Sequence, residues 1–154
     1  MKNNRTRVLA SELSVSAPVE KVFSFFARAE NLDLITPPEL KFRILTPLPV
    51  EMKKGTLIDY TIKLSGVPFR WKTIISHWEP PNRFVDEQLL GPYKKWTHEH
   101  IFESQGAVTV VKDTVTYIVP GNIAEPVIHR LIVKKRLDRI FNYRKEKISE
   151  IFNR

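Results

Sequence analysis

Two histidines two residues apart are the side chains of this sequence that are best suited to acid–base or metal chemistry. They are His98 and His100, in the stretch WTHEHIF, where large aromatic residues stand on both sides of the pair. Histidine titrates near neutral pH, and its neutral ring is a common metal ligand. The pair can therefore transfer protons, bind a metal ion, or place polar groups on the wall of an apolar pocket.

The alternation of residue types predicts that both histidines point toward the protein interior. Side chains in a β-strand point alternately to its two faces. One set of alternate positions in this stretch is charged or polar, which predicts that these residues face the solvent: Lys95, Thr97, Glu99 and Glu103. The other set is predicted to face inward: Trp96, His98, His100 and Phe102. In the following strand the same reasoning predicts these inward residues: Val111, Asp113, Val115 and Tyr117.

Carboxylates from the neighbouring strands are predicted to lie beside the histidines. The turn that follows this strand sets Asp113 opposite one of the two histidines. The turn that precedes it sets Gln88 near Trp96 or His98, with Asp86 one step along. Directly opposed residues have Cβ atoms ~5 Å apart, which is within side-chain reach. The inner face is therefore predicted to carry a polar cluster among aromatic residues.

Such a cluster predicts a cavity rather than a solid core. Buried carboxylates and imidazoles are costly unless they are paired or hydrated, and they are tolerated better where they line a water- or ligand-filled space. We therefore predict a pocket for an apolar ligand. The predicted ligand-binding residues are the polar cluster and its aromatic neighbours: Trp71, Asp86, Gln88, Trp96, His98, His100, Phe102, Asp113 and Tyr117.

The rest of the sequence predicts an α+β fold in which one sheet positions these residues. A first strand over 6–17 is followed by two short helices, predicted over 18–28 and 31–36, the second of which is ended by Pro37-Pro38. From residue 41 to residue 119, β-branched and aromatic residues alternate with polar ones, and turn signals recur about every ten residues. This spacing predicts an antiparallel meander, which brings the sheet to about seven strands.

Residues 122–152 are predicted to form one long closing helix. Apolar residues recur there at steps of three and four: Val127, Ile128, Leu131, Ile132, Leu137, Ile140, Phe141, Ile148 and Ile151. A helix of this length spans ~45 Å and is not stable alone in water, so its apolar stripe is predicted to lie on the sheet. Aromatic residues at helical spacing are predicted to be core rather than pocket: Phe23, Phe25, Phe26, Phe141 and Phe152.

The net charge of +8 is concentrated toward the C-terminus, because residues 122–154 carry many more Lys and Arg than Asp and Glu. A basic helix can bind the phosphates of nucleic acid or of anionic lipid, although it is more often only a solvated surface. Of these partners we favour an anionic membrane surface. We do not expect nucleic acid, since no recognition motif accompanies the charge and the aromatic residues are predicted to point inward.

Length and composition are typical of one globular domain, predicted over residues 1–154. Apolar residues make up 42% and charged residues 27% of the chain. The first residues are basic, but no apolar segment of a signal peptide follows them, so we expect a cytoplasmic protein whose N-terminal segment is the first strand. The absence of cysteine excludes disulfides, thiolate catalysis and cysteine-based zinc sites.

Several motifs resemble the START-like SRPBCC superfamily, in particular small bacterial proteins of the polyketide cyclase/dehydrase-like type. They are the run LDLITPP with LKFRILTP before the meander, the combination FVDEQ, GPY and WTHEHIF within it, and FNYR near the end. The resemblance implies a helix-grip fold, in which an antiparallel sheet wraps around a long C-terminal helix and leaves a deep hydrophobic cavity. Members bind lipids, sterols, polyketides and hormones, and a minority catalyse aromatic cyclisation or dehydration.

Three functions remain open for the histidine cluster. The one we favour is binding of a small hydrophobic ligand, such as a lipid, polyketide or aromatic compound, whose polar end the cluster orients. The alternative is a cyclase or dehydratase that uses His98 and His100, with Asp partners, as acid and base. The third is a structural or protein-interaction domain without a ligand, in which the histidines only join adjacent strands. No phosphate loop, nucleophile motif or cofactor motif is present, and we expect neither a cofactor nor a metal.

Overall fold

The computed structural model describes residues 4–153, so that residues 1–3 and 154 of the predicted domain lie outside the described part. Seven strands form one sheet. They are β1 (Thr6–Val15), β2 (Arg43–Ile44), β3 (Leu57–Leu64), β4 (Val67–Glu79), β5 (Arg83–Leu90), β6 (Lys95–Gln105) and β7 (Val108–Ile118). The prediction of about seven strands is confirmed.

The sheet order is β1-β7-β6-β5-β4-β3-β2, and every neighbouring pair is antiparallel. Strands β2 to β7 therefore form a meander, whereas β1, the first strand of the chain, pairs with β7, the last strand. A two-residue turn joins β3 to β4 through Ser65 and Gly66, which both have positive φ (51° and 79°). Two-residue hairpin turns of this kind match the twist of the flanking strands, and they set the register of the pair.

The two short helices predicted after β1 are present with slightly different bounds, and a third short helical segment follows them. Helix α1 (Val19–Phe26) is an α-helix within the predicted span 18–28, and it buries Val19, Val22, Phe23 and Phe26. The segment predicted over 31–36 is a 3₁₀ helix at Ala29–Ile35, and a second 3₁₀ turn covers Pro38–Leu40. Helix α1 packs against β6 and β7, whereas the 3₁₀ turn at Pro38–Leu40 packs against β3.

The long helix predicted over 122–152 is present. It starts as a 3₁₀ turn (Asn122–Ala124), continues as α2 (Glu125–Ile128) and a π-helical turn (His129–Val133), and ends as α3 (Lys134–Phe152). We call residues 122–152 the closing helix. Its α3 part buries a stripe toward the sheet: Leu137, Phe141, Arg144, Ile148 and Phe152.

The predicted apolar stripe of the closing helix is wrong in its first turns. Val127, Leu131 and Ile132 are exposed, because the inward positions there are Glu125, His129 and Val133. The π-helical turn contributes to this difference, since it has more residues per turn than an α-helix and so rotates the residues before it relative to α3. Ile151 is also exposed, near the helix end.

The interior consists of two hydrophobic clusters, one at each end of the sheet. The first contains α1 and the fully buried Phe102. The second contains Trp71, Tyr117 and Leu137. A sheet that grips a long C-terminal helix in this way is the helix-grip fold that the resemblance implied, and that prediction is confirmed. Within residues 4–153, no helix has the length and apolarity needed to cross a bilayer.

Candidate ligand-binding site

A cavity of about 170 Å³ lies between the sheet and the closing helix. Most of its wall is apolar, with Ile58 and Ile62 from β3, Ile75 from β4, and Leu137, Ile140 and Phe141 from the closing helix. Five of the predicted ligand-binding residues also line it: Trp71, Asp86, Trp96, His98 and His100. The cavity is therefore an apolar space with one polar wall.

The β-strand alternation and the register place this polar wall as the sequence predicted. His98 and His100 are buried, while Lys95 and Glu103 on the other parity are exposed. Asp113 on β7 lies opposite His100, and Asp86 on β5 lies opposite His98. The two carboxylates therefore approach the histidines from the two neighbouring strands.

The carboxylates and imidazoles form one closed network. His98 Nε2 donates to Asp113 Oδ1 at 2.8 Å, and His100 Nε2 donates to Asp86 Oδ2 at 2.6 Å. The network is completed by His100 Nδ1, which lies 3.2 Å from Asp113 Oδ1. All four groups have partners, which is the condition for keeping such polar side chains inside a protein.

Aromatic stacking fixes the planes of the two imidazoles. The rings of His98 and His100 stack with centroids 3.7 Å apart, and Phe84 stacks on the other side of His100 at 4.0 Å. Phe141 of the closing helix meets His98 at an angle, with centroids 5.7 Å apart. The imidazoles are thus held in orientation by rings as well as by hydrogen bonds.

Arg144 completes the site, and the sequence interpretation missed it. Its Nη2 lies 3.5 Å from both Asp113 Oδ1 and His100 Nδ1, and its guanidinium packs over the ring of Phe26 at 5.2 Å. The sequence predicts that the many basic residues of the closing helix, Arg144 among them, form a solvated surface. The signal was in the spacing, since Arg144 follows Phe141 by three residues and precedes Ile148 by four, which places it on the buried stripe.

Burial and neighbouring charges shift the pKa values of the two histidines in opposite directions. Burial lowers the pKa of His98, and the positive charge of His100 lowers it further. For His100, burial acts in the same direction, but hydrogen bonds to Asp113 and Asp86 outweigh it and raise the pKa. The pKa of Asp113 is held well below its usual range despite burial, mainly by Arg144 and by the two histidines. One histidine is therefore arranged to hold a proton and the other to be free to accept one.

We expect the two histidines to titrate on opposite sides of 6.5, the ordinary histidine pKa. The protonated His100 stabilises the folded state below pH 6.5, and this contribution is lost as the pH rises through its raised pKa. The contribution of His98 to stability has the opposite sign. Its pKa is lowered in the folded state, so the folded state loses stability relative to the unfolded state as the pH falls below 6.5. Ring-proton NMR titration of the wild type and of His100→Gln, which assigns the signals, tests this. Two histidines that titrate on the same side of 6.5 would contradict it.

Four predicted ligand-binding residues are placed outside the cavity wall formed by the described residues. Asp113 lies behind the histidines and orients them through Oδ1, which is 2.8 Å from His98 Nε2 and 3.2 Å from His100 Nδ1. Phe102 is fully buried in the cluster around α1. The hydroxyl of Tyr117 lies 2.7 Å from His129 Nε2 in the π-helical turn, beside a different groove. The fact that a strand residue faces inward does not show whether its side chain lines the cavity or fills the core beside it.

Gln88 is the fourth of these residues, and it acts on the cavity through its neighbour. Its side-chain amide donates to the carbonyl of Tyr93 at 2.7 Å, and its oxygen accepts from the Tyr93 amide at 3.2 Å. Tyr93 lines the cavity. A Cβ at Gly91 would overlap the Gln88 side chain. The Gln88, Gly91 and Tyr93 positions of the FVDEQ and GPY motifs thus form one loop that holds Tyr93 in place.

We expect Gly91→Ala to destabilise the protein by about 1–3 kcal/mol, because the new methyl group must displace Gln88. The same substitution in a Gln88→Ala background should cost much less, since the overlap is gone, so the two changes should be strongly non-additive. Thermal and urea unfolding of the two single variants and the double variant measure this coupling. Additive effects would mean that Gly91 is required for another reason.

Two core assignments need adjustment. Phe26 and Phe141, predicted to be core rather than pocket, belong to the hydrophobic clusters and also line the cavity. Both come from helices that pack on the same inner face of the sheet as the histidines. The core of this protein is thus also the apolar wall of its cavity.

Asp86, His98 and His100 also have the spacing of a metal site, with one ligand atom from each within 4.8 Å of the others. The guanidinium of Arg144 places a fixed positive charge beside this position, and that charge opposes a second cation. The nitrogens closest to the carboxylates are already engaged in hydrogen bonds. The geometry therefore favours a hydrogen-bonded network over a metal centre.

A family model described as polyketide cyclase/dehydrase and lipid transport matches residues 15–140 of the chain. No curated protein matches its sequence. Solved structures with the same fold include the Zhui aromatase/cyclase from Streptomyces sp. R1128, with a TM-score of 0.74 and 17% identity, covering 94% of this chain and 92% of that one.

Truncated norcoclaurine synthase from Thalictrum flavum is similar as well, with a TM-score of 0.69 and 18% identity over 96% of this chain and 94% of that one. A third similar structure is the protein TTHA0849 from Thermus thermophilus, with a TM-score of 0.67 and 19% identity over 94% of this chain and 99% of that one. At these identities the likeness shows a common fold.

Proposed function

The chain belongs to the polyketide cyclase/dehydrase and lipid transport family, and we propose that it binds a small, largely hydrophobic ligand between the sheet and the closing helix. The single observation that carries this proposal is an apolar cavity with one strongly polar wall. A protein core has no need for such a combination, whereas ligand pockets typically join apolar walls to a few convergent polar groups. A cytoplasmic location, expected from the sequence, is part of the proposal.

The size of the cavity indicates a compact ligand. It measures about 170 Å³, and an apolar cavity of ~150 Å³ in another protein accommodates benzene. A ligand of one or two rings fits without rearrangement. A longer lipid or polyketide chain requires the loop segments around Leu40, Phe42 and Met52, which also line the cavity, to move outward.

The polar wall indicates a ligand that offers acceptor oxygens, such as a carbonyl, phenolate or carboxylate. His100, with its raised pKa, and Arg144 both carry positive charge toward this wall. Among the buried donors that find no partner within residues 4–153 are Arg144 Nε and Trp71 Nε1, and both side chains line the cavity. A ligand oxygen would satisfy either donor after a small side-chain shift, and an unpaired buried donor is costly.

Ligand titration of three single variants tests this function. Tryptophan fluorescence reports binding, because Trp71 and Trp96 line the cavity. We expect His100→Gln to weaken binding of an aromatic carboxylate by about tenfold, because it removes a buried positive charge beside the ligand oxygen. His98→Ala should also weaken binding, whereas His77→Ala, at an exposed position of β4, should not. Native mass spectrometry of protein from its own host then identifies the natural ligand.

Loss of stability without any loss of binding in both cavity-lining variants would favour the purely structural role of the network. An unchanged binding constant in every variant would place the ligand elsewhere. If no compound of the panel binds and the purified protein carries none, the proposal fails.

A second candidate function is acid–base catalysis, and the opposed pKa shifts of His98 and His100 favour it. A pair of titratable groups whose environments separate their pKa values can divide the roles of acid and base. Two similar structures are named for an aromatase/cyclase and a norcoclaurine synthase. If this chain is an enzyme, His98 removes a proton and His100 delivers one during cyclisation or dehydration of a poly-ketone. Product formation from such compounds, lost in both histidine variants, would support this function.

A further inference from the structure

The first turns of the closing helix expose apolar side chains to solvent. Ile123 is 93% exposed, and Val127, Leu131 and Ile132 are each about half exposed (55%, 53% and 49%). They point outward because Glu125, His129 and Val133 occupy the inward positions. A contiguous exposed apolar patch on a protein surface is commonly an interaction site, whereas single exposed residues are ordinary.

Basic side chains surround this apolar patch. Arg130, Lys134 and Lys135 are exposed in the same turns, and Arg136 follows them. Of Glu125 and Asp138, only Asp138 offsets a cation of this surface. Glu125 is fully buried and paired with Arg7 at 2.8 Å, and Asp138 pairs with Lys134 at 3.2 Å. We call the exposed residues Ile123, Val127, Arg130, Leu131, Ile132, Lys134 and Lys135 the docking face.

The docking face adjoins the cavity. Leu131 and Ile132 border a surface groove between the closing helix and the β3–β4 turn, where Arg136 donates to the Ser65 hydroxyl at 2.9 Å. Leu40 and Leu64 line this groove and also line the cavity. One pair of leucines therefore separates the exposed apolar patch from the ligand site.

We propose that the docking face binds an anionic membrane surface. Its apolar side chains enter the boundary between head groups and acyl chains, while the surrounding cations contact lipid phosphates. Interfacial helices bind membranes through this combination, and each cation near an anionic surface contributes to the affinity. The position beside Leu40 and Leu64 means that a docked protein presents its cavity to the lipid phase. Hydrophobic ligands can then pass between membrane and cavity with little contact with water.

Two other partners fit the docking face less well. A second copy of the chain would bring two sets of cations together, and their repulsion opposes a symmetric dimer. Nucleic acid would match the cations, but it would cover Ile123, Val127 and Leu131 with a charged backbone and leave their apolar surface without a partner. A membrane satisfies both the charge and the apolar groups.

Vesicle flotation tests this proposal with the full chain. We expect the wild type to float with vesicles of equal parts phosphatidylglycerol and phosphatidylcholine and to remain unbound with phosphatidylcholine alone. Leu131→Ser and Val127→Ser should each weaken binding about tenfold, because each removes an apolar group from the interface. Arg130→Gln and Lys135→Gln should each weaken it about fivefold, the effect of removing one interfacial cation, and added salt should weaken all binding.

Matched controls distinguish binding through the docking face from nonspecific binding to vesicles. Leu89→Ser removes a leucine that is 56% exposed on β5, and Lys21→Gln removes an exposed cation on α1. Neither should change flotation. Equal binding to both vesicle types, equal losses in control and docking-face variants, or a dimer that Leu131→Ser dissociates would each overturn the proposal. Because no docking-face residue lines the cavity, ligand titration in buffer should be the same in these variants, so failure here is distinct from failure of ligand binding.

Discussion

Asp113→Ala is expected to lower the free energy of unfolding by about 3–5 kcal/mol, the usual cost of removing one partner from a buried ionic network. Asp113 accepts from His98 at 2.8 Å and lies 3.2 Å from His100 Nδ1 and 3.5 Å from Arg144. Without it, the positive charges of His100 and Arg144 stay buried with only Asp86 to compensate them. Urea unfolding at neutral pH measures the loss.

Two further variants show whether charge or packing causes this loss. Asp113→Asn keeps the shape and removes the charge, so it should be nearly as damaging. Adding Arg144→Met to Asp113→Ala should restore part of the stability, because the uncompensated guanidinium is removed with its partner. The control is Asp138→Ala, which breaks an exposed pair with Lys134 and should cost less than about 1 kcal/mol. If Asp113→Ala and Asp138→Ala lower the free energy of unfolding by the same amount, the buried network contributes no more to stability than an exposed ion pair.

Ile140→Trp is expected to weaken ligand binding at least 100-fold while the protein stays folded. Ile140 is half-buried on the closing helix and lines the cavity. An indole at this position fills much of the about 170 Å³ that the ligand would occupy. The loss of binding free energy should greatly exceed the loss of free energy of unfolding. The new ring blocks the ligand, but it buries apolar surface of its own and so keeps the protein folded. Fluorescence titration and thermal unfolding of the same samples compare the two effects.

Ile151→Trp is the matched control for this experiment. It makes the same change on the same helix, at a residue that is 39% exposed and outside the cavity lining. Its ligand affinity should equal that of the wild type. Strong binding by Ile140→Trp would show that the ligand does not occupy this cavity.

The polar wall could be predicted from the sequence because its geometry depends on local rules. Charged residues on one parity of β6 indicate which side chains face inward, and short turns fix which residues lie opposite each other. These rules placed Asp113 opposite one of the two histidines and Asp86 on the neighbouring strand, and the structure shows the partners to be His100 and His98. They also gave the order of strands and helices.

The remaining features depend on how elements pack in three dimensions. Arg144 was missed because a basic residue on a helix usually faces solvent, and only its position on the buried stripe indicates otherwise. The exposure of Val127 and Leu131 depends on the π-helical turn, which no spacing in the sequence revealed. Tyr117 and Phe102 face inward as predicted, yet the distance of each from the cavity is set by the placement of α1 and the closing helix.

The pairing of β1 with β7 has a consequence for the order in which the protein folds. Thr109 near the start of β7 donates to the carbonyl of Ala17, a residue 92 positions earlier in the chain. Contacts between distant segments slow folding, because a large loop must close first. During synthesis at ~5–20 residues per second, β1 therefore waits several seconds before its partner exists. A circular permutant that begins at α1 and links the end of the closing helix to β1 brings β1 closer in sequence to β7. It should fold faster at similar stability, and equal folding rates would show that β1 docks only after the rate-limiting step.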